Sequence, residues 1–444
     1  MKTSWFRRFL GATVFGLVAG LAGCSGSDDP SAVTPAPAAT GTVSGAVVES
    51  ATGAALAGVA VQSSGRSAST AADGSYTLTE VPAGDAKVVS FELAGHARSV
   101  FTVTVPAGGG ARASARLTRV GATLSFDAAT ATTVTVAGSM AQVTLPAAGL
   151  VTAAGTAASG AVKAELTAID PASDPANMPG NFTAQAPGGG TQRIESFGAI
   201  KVSLTDSAGA TLNLAAGKSA TLRIPLSTRS PNPPASVPLF FLNEATGLWV
   251  QEGSAQLFGS APNQYYEGTV THFTYWNADQ VTDTITVSGC VEDAMAARRV
   301  GAEVSSFGSD YSGSDSTLTN ANGQFTVAIR RASIATIVAQ LADRSSNAVR
   351  VGPSLVNITL PVCLVLSAGG AAPQIVVQPE SQTALPDGYA YFRVEAIGSP
   401  TLRYQWQRNG AAITGAEGRS RQEQYLREPP QVARKSSDSN GAQK

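Results

Sequence analysis

Histidine and cysteine are almost missing from this chain, at two and three residues in 444. That leaves little material for a zinc centre built from side chains or for a thiol-dependent enzyme. Charge is scarce too, at 14% against the roughly 25% of an ordinary globular protein. The few charges balance, 30 basic against 31 acidic, for a net of −1, so no global field steers the chain to nucleic acid or anionic lipid. Aromatic residues make up only 6%. Neither H-E-x-x-H nor G-x-S-x-G occurs. What is plentiful is glycine, at 46, and proline, at 24, among small and β-branched residues. Such a mixture makes short strands and many turns, and the length argues for about three domains. The composition is that of a secreted, modular β protein rather than an enzyme.

Residues 1–23 read as an export signal. Lys2, Arg7 and Arg8 are its positive start, and the apolar run from Phe9 to Leu21 is too short for a permanent membrane span. The run ends in Leu21, Ala22, Gly23 and Cys24, which resembles a bacterial lipobox. The resemblance implies cleavage before Cys24, diacylglycerol on its sulfur, and the membrane as a partner through that lipid anchor. Two or three acyl chains on one residue hold a chain stably, whereas one binds reversibly. The plainer alternative is an ordinary signal peptide with an incidental cysteine. Ser25, where an Asp would mark inner-membrane retention, points to the outer membrane of a bacterial cell envelope. Residues 24–40 hold the lipidated cysteine and a polar, Pro/Ala-rich tether with nothing to bury.

Residues 41–118 alternate strand-like runs with turn signals, and Asp73-Gly74 reads as a tight hairpin. Ser44-Gly45, Thr70, Asp73, Gly74, Tyr76, Leu78, Pro82 and Gly95-His96 resemble the carboxypeptidase regulatory-like (prealbumin-like) family. That resemblance implies a β-sandwich of about seven strands and no peptidase activity. Residues 286–366 repeat the unit: Ser288-Gly289 answers Ser44-Gly45, and Thr319, Gly323, Phe325 and Val327 answer Thr70, Gly74, Tyr76 and Leu78. Residues 308–316 lengthen the loop before this second turn.

Residues 119–280 carry Ile169-Asp170-Pro171, Met178-Pro179-Gly180-Asn181-Phe182, Ser196-Phe197-Gly198, Ile224-Pro225-Leu226, Trp249 and His272-Phe273-Thr274-Tyr275-Trp276. These blocks resemble the middle domain of cartilage intermediate layer protein and the ZU5 domains related to it, implying an antiparallel β-sandwich. Residues 373–416, with Phe392, Val394, Tyr404 and Trp406, resemble the front half of a bacterial Ig-like domain. Val394 stands where many relatives carry the first disulfide cysteine. Residues 417–444 are charged and lack strand alternation, so they read as a disordered tail unable to cover Trp406. The expected fold class is therefore all-β: tandem antiparallel β-sandwich modules behind a lipoprotein signal and flexible tether.

Chemistry has few places to hide. Gly217-Lys218-Ser219 ends like a phosphate loop, but Leu212 occupies the required first glycine. Gly108–Gly110 and Gly188–Gly190 read as hairpin tips rather than dinucleotide loops. Asp310 and Asp315 offer oxygen ligands for calcium, against a solvated acidic loop as the blander reading. No metal or cofactor is expected. His96, alone in its module, reads as a loop residue, and the Asn-x-Thr sites at Asn181 and Asn357 have no particular meaning after bacterial export. Cys290 and Cys363 fall in the first and last strands of the second regulatory-like copy. Export places them in an oxidising compartment, where a disulfide between them is expected. Some ZU5-related domains cut themselves at a His-Phe-Ser or His-Leu-Thr step. By that resemblance Thr274 would attack the Phe273 carbonyl with His272 as base; the alternative is that these residues pack the last strand.

The functional expectation is a non-enzymatic, lipid-anchored envelope protein with a structural, adhesive or ligand-binding role. Its loop ends would meet a protein or glycan partner, and nucleic acid is not expected. A self-cleaving middle module is the first alternative, and capture of envelope polysaccharide by exposed aromatics the second.

Overall fold

The computed structural model describes residues 39–342, 344–367, 374–377, 379, 389–397, 404–413 and 420–424. Cys24, the signal and most of the tether lie outside them, as do residues 425–444. The described residues form strands joined by turns, with two single 3₁₀ turns at Pro175–Asn177 and Gly180–Phe182. The architecture is all-β, built of antiparallel sheets packed as sandwiches.

In the first module, Thr40–Glu49 alternates burial so that Val43 and Val47 face the core. It pairs antiparallel with Ser75–Pro82 and parallel with Gly110–Arg112 and Ala115–Leu117. A second sheet orders Arg66–Ser69, Ala60–Ser63, Gly84–Glu92 and Ser99–Val105. Val61, Leu78, Phe91 and Leu117 fill the space between, and Tyr76 meets Phe91 edge to face at 5.7 Å. The Asp73-Gly74 turn does not close a hairpin, because Arg66–Ser69 and Ser75–Pro82 belong to different sheets. Asp73 accepts the Ser75 N–H at 2.9 Å. Gly74 has φ +78°, and a Cβ there would sit 2.5 Å from the Val47 carbonyl. The turn carries the chain across the sandwich. The triplet at Gly108 likewise joins strands of different sheets, whereas the one at Gly188 does cap a hairpin between Thr183–Gln185 and Thr191–Asp206.

The module around 286–366 repeats these pairings. Thr284–Asp293 lies antiparallel to Gln324–Arg330 and parallel to Ile358–Thr359 and Leu364–Ser367. Glu303–Gly308 lies between Ser314–Leu318 and Ala335–Leu341. Thr319 accepts the Ala302 N–H and donates to the Arg299 carbonyl, as Thr70 does with Val59 and Leu56. One strand differs: Arg344–Ser346 links Ala335–Leu341 to Leu364–Ser367, which stitches both layers into one nine-stranded sheet.

Between them, one thirteen-stranded sheet folds around a large core, and a second, smaller core lies where it meets the first module. Phe197, Tyr266 and Trp276 are buried in the large core. The sheet's longest strand, Thr191–Asp206, borders Ala161–Ile169 on one side and Tyr275–Val281 on the other.

Trp406 is only 4% exposed, packed with Phe392 and Val394 of its own segment. One expectation for the C-terminal segment needs correction. Ser420–Gln424 pairs antiparallel with Tyr389–Arg393, so a strand lies inside the stretch read as a disordered tail. A ladder is made by backbone groups, and an edge strand needs no apolar alternation to join one.

Candidate functional site

Cys290 and Cys363, 73 residues apart, are joined by a disulfide. It ties Thr284–Asp293 to the residue preceding Leu364–Ser367.

His272, Phe273 and Thr274 form a bend between Tyr265–Val270 and Tyr275–Val281. The Thr274 hydroxyl donates to the Leu242 carbonyl at 3.0 Å. The His272 ring meets Phe241 edge-on at 4.6 Å, lies 5.0 Å from Trp276, and has Nε2 3.5 Å from the Glu252 carboxylate. Neither Phe273 nor Thr274 occupies the left-handed region. Asn213, which the sequence did not flag, brackets the Phe273 peptide. Its Oδ1 accepts the Phe273 N–H at 2.7 Å and its Nδ2 donates to the Phe273 carbonyl at 3.4 Å. The hydroxyl and the imidazole are thus each committed to a partner other than the other.

The acidic loop at 308–316 is largely buried rather than solvated. Tyr311 and Ser312 are buried. Asp310 accepts the Ile334 N–H at 2.9 Å, and Asp315 accepts the Ala328 N–H at 2.7 Å while pairing with Arg193. Among the described residues no cluster of three His, Cys, Asp or Glu side chains is placed to hold a metal. The loop instead plugs into the middle domain. Ser196 N–H donates to the Ser312 carbonyl at 2.9 Å, and Arg229 N–H to the Ser312 hydroxyl at 3.0 Å. The Arg229 guanidinium reaches the carbonyls of Ala172 and Gly308. Beside it Glu195 is buried and takes hydrogen bonds from Ser230 and Arg330, with Arg330 also 2.8 Å from the Ser230 oxygen. Burial pushes the Glu195 carboxyl up, opposed by Ser230 and Arg330, and burial pushes Asp315 up against the pull of Arg193. Asp279, fully buried near Ser196 and Glu195, is driven well above the usual carboxylate range. The crevice left at this junction, about 10 Å³ between Arg193, Tyr311 and Arg330, has room for about one water.

The other end of the middle domain is closed as tightly. Ala97 and Val100 of the first module share a core with Phe182, Trp249 and Tyr275. The Asn181 amide docks on the edge of Ser99–Val105, accepting the Thr102 N–H at 2.9 Å and donating to its carbonyl at 3.1 Å. Asn181 is therefore a splice between modules rather than an idle surface asparagine. Tyr275 donates to the Arg98 carbonyl at 2.6 Å, and Glu244 accepts from both Arg98 and Lys201. Gly180 is required here: at φ +76°, a Cβ would meet the Trp249 indole at 2.6 Å.

No family model matches the chain, and no curated protein matches it. Among solved structures it is similar to the Bacillus anthracis TIE protein at 13% identity, with 74% of this chain and 51% of that one covered and a TM-score of 0.16. The full-length major pilin SpaD of Corynebacterium diphtheriae is 10% identical, with 74% and 98% covered and a TM-score of 0.16. BcpA, the major pilin subunit of Bacillus cereus, is 10% identical, with 73% and 99% covered and a TM-score of 0.15. The chain spans about half the length of the Bacillus anthracis protein. Superpositions this loose say nothing of function, and the sandwich class rests on the sheets of the chain itself.

Proposed function

We propose that this chain is a non-enzymatic, lipid-anchored protein of the bacterial envelope, with a structural or adhesive role served by β modules braced into one body. The observation that supports it is the closure of both junctions of the middle domain. An enzyme keeps polar groups converging on an open cleft. At these junctions the buried polar groups are spent on the neighbouring module: Glu195 and Asp315 on one side, Asn181 and Tyr275 on the other. Braced this way, the three modules should unfold in one cooperative step. Separate calorimetric transitions for the modules would overturn the structural role. The anchor is tested apart from this: labelled palmitate should mark the wild-type chain in the outer membrane and not Cys24→Ser.

Self-cleavage is the second reading, favoured by one contact: the Asn213 amide already donates to the carbonyl that Thr274 would attack. Against it stands the Thr274 hydroxyl, engaged with Leu242. The denatured intact mass decides. One full-length species ends this reading; two fragments breaking before Thr274, absent in Thr274→Ala, would establish it.

A further inference from the structure

The outer face of the middle-domain sheet is separate from both junctions. Strand register sets Thr133, Thr144, Thr221 and Thr269 side by side on four successive strands. Their sequence neighbours Val134, Val143, Leu222 and Val270 are buried, so the threonines share the opposite, outward face. The hydroxyls of Thr133 and Thr144 lie 3.2 Å apart. With strands about 4.8 Å apart, the result is a regular row of hydroxyls across four strands. Two residues along, Arg223 and Glu267 pair at 2.6 Å. Two further along, Tyr265 lies opposite Phe258. Those rings stack with centroids 5.9 Å apart and planes 24° apart, and the Arg223 guanidinium sits 4.9 Å from the Tyr265 centroid. Phe258 is 46% exposed, an aromatic side chain left in water.

We propose that this face binds an extended, neutral polysaccharide. A sugar ring has an apolar C–H face and a rim of hydroxyls. The exposed Phe258 ring, backed by Tyr265, offers an apolar ledge for the first, and the threonine row with the Arg223–Glu267 pair offers donors and acceptors for the second. The two charges neutralise each other, so the ledge holds no net charge for an acidic glycan, a nucleic acid or an anionic lipid to exploit. A protein partner would favour a dry apolar centre within a polar rim; here the apolar ledge borders a field of hydroxyls that stays wet. A row that spans four strands on an outward face favours a chain lying across them over a single enclosed sugar. The inference names the ligand class for the adhesive role proposed above and rests on that reading.

Affinity electrophoresis of the detergent-solubilised full chain tests it, in native gels cast with hydroxyethylcellulose, glucomannan, xylan or, as an acidic control, alginate. At least one neutral polysaccharide should retard the chain, equally at low and high salt. Phe258→Ala should weaken that retardation about tenfold, and Phe258→Trp should keep it. No retardation in any neutral gel, retardation by alginate alone, or full retardation of Phe258→Ala would each overturn the proposal. Calorimetry and palmitate labelling on the same chain keep the outcomes apart. A chain that is anchored and cooperative but not retarded refutes the glycan face and leaves the structural role standing.

Discussion

The two copies of the repeated module pair their strands alike but brace the same corner with different chemistry. Val47 lies opposite Ala115 in the first and Val291 opposite Leu364 in the second, so Cys290 corresponds to Ala46 and Cys363 to Ser114. Where the second copy has a disulfide, the first has a hydrogen bond from the Ala46 N–H to the Ser114 hydroxyl at 3.2 Å. Tyr76 adds a bond to the Ala113 carbonyl at 2.6 Å, and its counterpart Phe325 has no hydroxyl to give. The covalently braced copy is also the one whose loop at 308–316 is lent to the middle domain. The same corner can thus be held by neutral hydrogen bonds or covalently, although both copies lend polar groups to the middle domain.

The disulfide should show the largest difference between the copies. Closing a loop of 73 residues contributes about 4 kcal/mol in the chain-entropy model. Reductant, or Cys290→Ala with Cys363→Ala, should lower stability in denaturant by that order. Ser114→Ala in the first copy should cost only about 1 kcal/mol. Similar costs for the two would show that the covalent link merely substitutes for the hydrogen bond.

The junctions offer the next contrast. Arg330→Ala leaves the buried Glu195 without its cation and should cost about 3 kcal/mol. Arg98→Ala removes a partner from Glu244, which is 27% exposed and keeps Lys201, so about 1 kcal/mol is expected. Urea midpoints for the two variants check the order, and a reversal would move the critical brace to the first junction.

The second junction should also answer to pH. Burial raises the carboxyls of Glu195 and Asp279 in the folded chain, so the folded state holds protons that the unfolded state has released. That contribution is fully present below the unfolded carboxylate pKa, about 4. It is lost as pH rises toward the folded values, with a slope of at most about 1.4 kcal/mol per pH unit per group. Asp279→Asn should flatten the profile between weakly acidic and neutral pH. An unchanged profile would place the linked protons elsewhere.

The parts of this plan that repeat locally were readable in the sequence. Thr70 with Gly74 and Thr319 with Gly323 are short-range turn devices, so the second copy announced itself by spacing. The cysteine pair was readable from the number of cysteines and the export that the N-terminus led one to expect. What escaped were contacts between residues far apart in the chain. A turn signal such as Asp73-Gly74 says that the chain reverses, not which sheet it enters. Asp310 and Asp315 look solvated because their partners, Ile334, Ala328 and Arg193, lie elsewhere in the sequence. Asn181 and Asn213 are ordinary surface residues until the backbone edges they bracket are in place.

The smallest effect is the sharpest test of the corner itself. Tyr76→Phe removes one hydroxyl and leaves the Ala113 carbonyl, on a residue 5% exposed, short of its donor. The ring still packs against Phe91, so the apolar contribution survives and the expected cost is about 1 kcal/mol. The mirror change, Phe325→Tyr, should not return that amount. The tip of the Phe325 ring lies close to Gly289 and Leu360, so the new hydroxyl would enter apolar surroundings and lower stability. Equal and opposite shifts in the two melting temperatures would mean that the second copy keeps the same acceptor in place, and that the disulfide was laid over the hydrogen-bonded corner instead of replacing it.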